Sequence, residues 1–334
     1  MPWSGCTGGS GGCATGSDPR PDPTRAALDP VPTHGCFSRL PRRPPWPDRS
    51  RSSNRTHRAC KVFDPEVYRV LTFDQRGCGQ SLPHASDPAV SLEHNTTGHL
   101  IADMERLREH LGIERWLLYG GSWGSTLILA YAQRHPERVT EVIINGVTMT
   151  RPEETNWLYH GVGRLLPGPW EAFRDAVPAA ERDGNLVAAY NRLVNSPDEA
   201  VRAKATRDWV TWEDAVIAHE VLGSPASYSN RPPDALTTFV RICAHYFAHD
   251  AWLEDGQLLR DAHRLAGIPA VLIHGRLDIG SPLMTAWELA RAWPDAELKV
   301  IDDSGHTGSP ALRDAILEAT QKFATGRAGP CRGR

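Results

Sequence analysis

Three residue types that together make a nucleophilic catalyst occur here in the order serine, aspartate, histidine. Ser122 lies in residues 120–124, Gly-Gly-Ser-Trp-Gly, which follow an apolar run and precede a run with helical spacing. This Gly-x-Ser-x-Gly pattern is typical of a sharp strand-to-helix turn that strains the serine backbone and lifts its hydroxyl clear of a sheet. The helix N-terminus favours negative charge, and the N–H of Trp123 would donate to an oxyanion. The pattern therefore predicts that Ser122 is a nucleophile.

Asp278 and His306 are the residues predicted to activate this serine. A serine hydroxyl is a poor nucleophile, so an imidazole must take its proton and a carboxylate must hold the imidazole in the right tautomer. Asp278 and His306 each lie just beyond a predicted strand, as Ser122 does. Because ligands bind beyond the carboxyl ends of the strands in open parallel sheets, we expect all three side chains at one edge.

Other acids and histidines compete for these two roles. Asp302 and Asp303 are rival acids, but they lie too close to His306 in sequence to be its usual partner. The rival histidines are His274 and His245, and the position of His274 inside a predicted strand favours a place in the core.

The elements that must position these residues alternate between strand and helix. Apolar runs bounded by glycine or polar residues predict the strands, and apolar residues at helical spacing predict the helices. The predicted strands are 67–73, 115–119, 142–144, 269–274 and 297–301, and the predicted helices are 95–111, 125–134, 286–292 and 309–324. This alternation indicates an α/β fold with a mostly parallel sheet flanked by helices.

Residues 151–262 interrupt the alternation. They contain long helical stretches rich in tryptophan and alanine and no clear strand. We interpret them as a helical cap inserted into the core, which then consists of a first part, 61–150, and a second part, 263–326. Residues 327–334 are predicted to form a tail.

The first 60 residues differ in composition from the rest. They contain nine arginines and four aspartates but no lysine or glutamate, so their net charge is +5 and the other 274 residues carry −8. No period of 2 or 3.6 is visible, which predicts no strand or helix there. Three interpretations are open: a disordered basic tail, a transit peptide, and translation in a wrong frame or from a misplaced start. The excess of Arg, Pro, Gly and Ala favours the third, because GC-rich codons specify these residues.

Composition argues against several other classes of protein. The net charge of −3 gives no electrostatic reason to bind nucleic acid. The sequence contains no run of about 18 apolar residues, so it predicts no membrane span. The seven cysteines form no Cys-x-x-Cys pair or metal-ligand spacing, so we expect no metal centre and a reduced, cytoplasmic protein.

Several short motifs in this sequence occur together in one known family. The two most specific are Asp-Gln-Arg-Gly-Cys-Gly at 74–79 and Gly-Gly-Ser-Trp-Gly-Ser at 120–125. The others are 63–65, 95–97, 212–213, 274–276 and 305–306. From about residue 61 to 324 the chain resembles the proline iminopeptidases, or prolyl aminopeptidases. The resemblance implies a serine peptidase of the α/β-hydrolase fold that removes N-terminal proline from peptides and uses no metal or organic cofactor.

The resemblance also implies residues that bind the substrate. Glu213 matches an acidic residue that the family uses at the cationic amine, and carboxylates suit that role. A second family glutamate is expected where Cys243 stands, and Glu220 is a candidate substitute. Phe247 matches an aromatic residue of the family's proline pocket. Thr148 stands where a bulky aromatic is common, which weakens the case for strict proline selectivity.

The sequence departs from the family pattern upstream of residue 61. The family carries a His-Gly-Gly-Pro-Gly loop that supplies the second oxyanion donor, and the strands before it form one side of the sheet. The glycine-rich residues 8–12 do not match this loop. Loss of one oxyanion donor costs about 2.7–4 kcal/mol of transition-state stabilisation. We therefore expect the N-terminal strands of the fold to be missing or disordered and the peptidase activity to be impaired.

Two other functions stay open. An esterase or amidase of the same fold needs no free amine in its substrate, and a non-catalytic protein on a hydrolase scaffold needs no activated serine. The intact set of Ser122, Asp278 and His306 argues against the non-catalytic interpretation, whereas the missing loop argues for it.

Overall fold

In the computed structural model, residues 34–39, 62–224 and 226–325 are described, and their strands form one sheet. The strands are β1 His34–Arg39, β2 Tyr68–Leu71, β3 Trp116–Ser122, β4 Val139–Val147, β5 Ala270–Gly275 and β6 Ala296–Ile301. Their order across the sheet is β2-β1-β3-β4-β5-β6. Strands β3 to β6 run parallel, as predicted, so their carboxyl ends share one edge.

Strand β1 contradicts the expectation that residues 1–60 contribute no strand. It lies between β2 and β3 and runs antiparallel to both, with His34 opposite Gly120 and Cys36 opposite Leu71. Backbone hydrogen bonds hold a strand in such a position without any alternation of side chains, which is why periodicity misses it. The rest of residues 1–61 and the predicted tail lie outside the described residues, so their interpretation stays a prediction.

A helix is described close to each of the four positions predicted for the core, 95–111, 125–134, 286–292 and 309–324. They are α1 Thr97–His110, α2 Trp123–Arg134, α3 Pro152–Tyr159, α4 Pro167–Asp175, α5 Leu186–Leu193, α6 Glu199–Ile217, α7 Pro233–Phe247, α8 Gln257–Arg260, α9 Leu283–Ala292 and α10 Pro310–Thr325. Short 3₁₀ helices cover 136–138, 161–164, 179–181, 250–252 and 261–265. In the described part of the chain, no helix combines the length and the apolar character that a membrane crossing requires.

Helices cover both faces of the sheet. Apolar residues of α1, α2 and α9 pack on one face, and α10 packs on the other together with Phe63 and Tyr68. Successive side chains of a strand point to opposite faces, and Ile143 and Ile144 of β4 are nevertheless both completely buried. Because neither face meets water, the central strands consist mostly of apolar residues.

Residues 151–262, interpreted above as a cap, contain helices and no strand within their described part. Helices α3 to α7 enclose an apolar core of their own. Tyr159, Trp209 and Trp212 are buried in it, and Phe173 stacks on Tyr190 with ring centroids 4.4 Å apart. The aromatic residues of this stretch therefore build a second core, because each buries a large apolar area.

Candidate active site

Ser122 stands at the turn between β3 and α2, as the Gly-x-Ser-x-Gly pattern predicts. Its backbone has φ 53° and ψ −129°, a strained conformation for a residue with a side chain. Two hydroxyl groups donate to its carbonyl oxygen, Ser125 Oγ at 2.5 Å and Thr148 Oγ1 at 2.9 Å. These hydrogen bonds hold the turn in place, because they satisfy a carbonyl group next to the strained residue.

Glycine is required beside Ser122 because β4 passes close by. A Cβ on Gly121 would lie 2.7 Å from the carbonyl oxygen of Asn145, a contact that no side chain tolerates. Gly146 has φ +57°, and a Cβ there would lie 3.7 Å from Cε1 of His306. The turn therefore lies directly against the end of β4, and glycine at position 121 leaves room for this approach.

The structure brings Ser122, His306 and Asp278 together in one hydrogen-bonded chain. Ser122 Oγ lies 3.0 Å from His306 Nε2, and His306 Nδ1 lies 2.6 Å from Asp278 Oδ2. The other oxygen of Asp278 accepts the N–H of Ser281 at 2.8 Å. The Asp278 side chain is completely buried, whereas His306 keeps 15% exposure toward the cavity. This is the arrangement that serine activation requires.

The charges around the histidine favour its protonated form. Burial lowers the pKa of His306, but the carboxylates of Asp278, Glu220 and Glu213 outweigh this effect and raise the pKa to about 9. Burial raises the pKa of Asp278, but His306 and the Ser281 N–H hold it below its ordinary value. An imidazolium beside a buried carboxylate is the state that forms when the ring accepts the serine proton.

The rival acids and one rival histidine lie away from the hydrogen bonds that join Ser122, His306 and Asp278. Asp302 is exposed and pairs with Arg276 at 2.6 Å, and Asp303 accepts the hydroxyl of Ser309 at 3.1 Å. His245 Nε2 contacts the carbonyl oxygen of Asn95 at 3.2 Å. None of these three residues contacts Ser122 or His306 among the hydrogen bonds of the described residues.

His274 is a core residue, as predicted, but it also has a role that the sequence analysis missed. Its ring is completely buried; Nδ1 accepts the N–H of Val147 at 3.0 Å, and Nε2 donates to the carbonyl of Ser281 at 2.8 Å. Burial lowers the pKa of the ring, which keeps it neutral in this tautomer. The ring therefore ties the end of β4 to the loop that carries Asp278.

A cavity of about 980 Å³ opens above the serine. Its wall includes Ser122, Trp123 and His306 from the core and Glu213 from helix α6 of the cap. This volume is at the upper end of the range for small-molecule and cofactor sites. No group of three or more His, Cys, Asp or Glu side chains in the described ranges is arranged to hold a metal ion.

Glu213 is a buried carboxyl group on this wall. Tyr159 Oη donates to its Oε1 at 2.7 Å, and Trp209 Nε1 donates to the same oxygen at 2.9 Å. Its Oε2 accepts no hydrogen bond from the described residues. Burial raises the pKa of Glu213 against the effect of both donors. Such a group gains free energy from a cationic ligand, because a cation stabilises the charged form.

Other residues singled out in the sequence also line the cavity. Cys243, Phe247 and Thr148 are all on its wall. Burial raises the pKa of the Cys243 thiol well above its ordinary value, so the thiol is neutral and adds no charge where the family has a glutamate. Glu220 does not substitute for that glutamate, because both of its oxygens are bound to the backbone at His306 and Thr307.

The predicted oxyanion donor is the backbone N–H of Trp123. The Trp123 N–H lies at the start of α2, where an oxyanion donor is expected. Because β1 is antiparallel to β3, its carboxyl end points to the opposite edge of the sheet. Two buried atoms on the cavity wall, Gln75 Nε2 and Asn145 Oδ1, have no hydrogen-bond partner in the described residues.

Comparison with known proteins agrees with this fold. A family model for the alpha/beta hydrolase fold matches residues 52–309, so the chain is an α/β hydrolase. A probable proline iminopeptidase from Streptomyces coelicolor is 48% identical over 270 residues, which cover 80% of this chain and 83% of that protein. Proline iminopeptidases from Xylella fastidiosa (strain Temecula1) and Arabidopsis thaliana are 45% and 40% identical; each match covers 79% of this chain, and 83% and 68% of those proteins. The chain therefore belongs to the proline iminopeptidase family of hydrolases.

Proposed function

We propose that this protein releases N-terminal proline from peptides by nucleophilic catalysis at Ser122. The observation that carries the proposal is the unbroken chain of hydrogen bonds from Ser122 through His306 to the buried Asp278. The relatives that are named proline iminopeptidases support the choice of substrate. Glu213, on the wall of the same cavity, is suited to the free amine of such a substrate.

In the first half of the reaction, Ser122 Oγ attacks the carbonyl carbon of the N-terminal proline. His306 Nε2 takes the hydroxyl proton, and Asp278 stabilises the imidazolium that forms. The Trp123 N–H stabilises the negative charge on the carbonyl oxygen. When the tetrahedral intermediate collapses, the bond to the next residue breaks and His306 protonates the departing amine. The product of this half is a prolyl ester of Ser122.

In the second half, water replaces the departed peptide. His306 Nε2 takes a proton from the water, whose oxygen attacks the ester carbonyl. The second tetrahedral intermediate collapses, Ser122 recovers its proton from His306, and free proline leaves. The enzyme returns to its starting state without a cofactor.

Recognition of the amine rests on Glu213. Its two hydrogen bonds fix the carboxyl group through Oε1, and Oε2 remains for the ammonium group of the substrate. Phe247 lies on the same wall and supplies an apolar surface for the proline ring. Thr148 and Cys243 are smaller or uncharged where the family has an aromatic and an acid, so we propose a wider and less charged pocket. Proline is then preferred but not the only residue accepted.

A blocked substrate tests the requirement for a free amine. We expect proline β-naphthylamide to be cleaved at least ten times faster, in kcat/KM, than N-acetyl-proline β-naphthylamide.

Replacing Glu213 by Gln removes the charge that binds the ammonium group. Because a hydrogen bond to a charged group is worth about 1.5–3 kcal/mol, kcat/KM should fall about 10–100-fold for the free amine only. Steady-state kinetics with both substrates measure these ratios.

The matched control is Glu171→Gln, an exposed glutamate elsewhere in the cap. It should change neither ratio, because it lies on the surface and not on the cavity wall. Preference for the acetylated substrate would overturn the aminopeptidase proposal in favour of an esterase or amidase of the same fold. An equal loss on both substrates in Glu213→Gln would show that Glu213 supports the cap and does not bind the amine.

We further propose that the activity of this polypeptide is impaired at the oxyanion. More than nine in ten buried polar groups in proteins have a hydrogen-bond partner. Gln75 Nε2 and Asn145 Oδ1 are exceptions within the described residues, and both residues line the cavity next to Ser122. The two-donor oxyanion site of the family needs a loop at this place, and the His-Gly-Gly-Pro-Gly motif is missing from the sequence.

A side-by-side assay tests this impairment. With proline β-naphthylamide, we expect kcat to be about 10²–10³-fold below that of the Streptomyces coelicolor relative, the usual cost of one lost oxyanion donor. The difference should fall on kcat and not on KM, because the donor acts on the transition state. A kcat within threefold of the relative's value would contradict the impairment and leave the substrate assignment standing.

A further inference from the structure

We propose that Glu220, in the cap, is a positioning residue for His306, and that through it the cap holds the catalytic histidine over Ser122. The inference rests on the proposed function, since it takes His306 as the base that activates the serine. It assigns to Glu220 a role other than the amine binding that its sequence position suggested.

Glu220 accepts three hydrogen bonds from the loop that carries His306 and Thr307, here called the histidine loop. Its Oε1 accepts the backbone N–H of His306 at 2.7 Å. Its Oε2 accepts the backbone N–H of Thr307 at 2.8 Å and the Thr307 hydroxyl at 2.5 Å. Glu220 is only 5% exposed, so these are charge-assisted hydrogen bonds inside the protein, which are stronger than neutral ones.

The two segments interlock so closely that side chains are excluded around the carboxylate. A Cβ on Gly305 would lie 2.1 Å from Cδ of Glu220, and a Cβ on Gly223 would lie 2.1 Å from Oγ1 of Thr307. The Ser224 N–H donates to the same Thr307 hydroxyl at 2.8 Å. Glycines at both points let the cap and the histidine loop approach to hydrogen-bonding distance. A glutamate that contacted this loop only at the protein surface would not require glycine at positions 223 and 305.

The cap also holds the loop of the catalytic acid. Trp157 Nε1 donates to the carbonyl of Ile279 at 2.7 Å, and His219 Nε2 lies 2.8 Å from the carbonyl of Leu277. These two carbonyls belong to the residues on either side of Asp278. The cap therefore fixes both groups that act on the serine, and Glu220 is the part of the cap that acts on the histidine.

Glu220 affects the histidine electrostatically as well as geometrically. The charged and titratable groups that face His306 are Asp278, Glu213, Glu220 and His274. The negative charge of Glu220 is one of the causes that raise the pKa of His306. Removal of this charge lowers that pKa even where the geometry is unchanged, whereas loosening the loop without a change of charge alters the pKa only as far as His306 moves from Asp278. The two effects can therefore be separated by variants.

The experiment compares Glu220→Gln and Thr307→Val. Glutamine removes the charge and places an amide donor against a backbone N–H, so kcat on proline β-naphthylamide should fall about 10–100-fold, the range expected when a catalytic group shifts by up to 1 Å. KM should stay within threefold, and the midpoint of the pH profile of kcat/KM should move to lower pH. Thr307→Val removes both hydrogen bonds of the Thr307 hydroxyl, the one to Glu220 and the one from Ser224, without changing the charge. It should therefore lower kcat and move the midpoint less than Glu220→Gln does.

Controls separate positioning from general loss of structure. Thr307→Ser should recover most of the activity that Thr307→Val loses, because it restores the hydroxyl. Glu171→Gln, on the exposed surface of the cap, should match the wild type in kcat, midpoint and melting temperature. If Glu220→Gln does not fold, the Thr307 pair still decides the geometric part.

Labelling by a fluorophosphonate, which reacts with an activated serine, distinguishes failure of the proposed catalytic function from failure of the substrate assignment. Wild-type protein that resists labelling at Ser122 overturns the proposed catalytic function itself. Wild-type protein that is labelled but does not release proline overturns only the substrate assignment, and labelling rates then replace kcat in the comparison. A Glu220→Gln variant that is labelled at the wild-type rate with an unmoved midpoint overturns the positioning role.

Discussion

Replacing Ser122 by alanine is expected to lower kcat by about 10⁴-fold or more and to abolish labelling by a fluorophosphonate. The strained turn presents one hydroxyl to His306 Nε2 at 3.0 Å, and loss of the nucleophile in such a set removes nearly all covalent catalysis. The substitution should not unfold the protein, because the Ser125 and Thr148 hydroxyls that hold the turn bind the Ser122 carbonyl and not its side chain.

The structure offers a matched control for this variant in the same cavity. Ser86 Oγ lies 2.7 Å from His84 Nδ1, and both residues are on the cavity wall. This second serine–histidine pair has no buried carboxylate behind its ring among the described contacts. Ser86→Ala should therefore keep wild-type labelling and turnover. Labelling that persists in Ser122→Ala and disappears in Ser86→Ala would reassign the nucleophile.

Replacing Asp278 by asparagine should lower kcat by about 10⁴-fold with little change in KM. Asparagine is nearly the same size, so the loop stays in place, but its amide would donate toward His306 Nδ1 and favour the tautomer that carries its proton on Nε2. That tautomer cannot accept the serine proton. The pKa of His306 should also fall, because the carboxylate is the group that raises it most.

Kinetics and imidazole titration by NMR measure both consequences of this change. Asp302→Asn is the control, because Asp302 is a rival acid close to the histidine in sequence and its pair with Arg276 is exposed. A loss of activity in Asp302→Asn comparable to that in Asp278→Asn would mean that the wrong acid has been assigned. A small loss in Asp278→Asn, below tenfold, would mean that the histidine does not need its buried partner.

The core of the fold was predictable because its strands are covered on both faces. Buried parallel strands read as apolar runs, and the strands from residue 116 to 301 all fall within a few residues of their predicted bounds. The helical content of residues 151–262 was predictable because the alternation of strand and helix stops at residue 151 and resumes after 262. Strand β1 was not, since an antiparallel strand held by backbone bonds needs no pattern of its own.

In the site, the sequence pointed to the groups at strand ends and missed those that act across long distances in the chain. Ser122, Asp278 and His306 each follow a strand in an order that indicates one chemistry. The bond from Val147 to His274 joins residues 127 positions apart, and the bond from His306 to Glu220 joins residues 86 positions apart. Such partners leave no local signal in the sequence, because an apolar strand or a helical stretch has the same pattern of residues with or without them.

The insertion of the cap between the two parts of the core sets the order in which the site is assembled during synthesis. Ser122 and His306 are separated by 184 positions. At translation rates of about 5–20 residues per second, roughly 10–40 s pass before the histidine follows the serine out of the ribosome. During that interval the Ser122 hydroxyl has no His306 imidazole to take its proton. Activation of the Ser122 hydroxyl therefore has to wait until the loop that carries His306 has been synthesised and has folded against the turn.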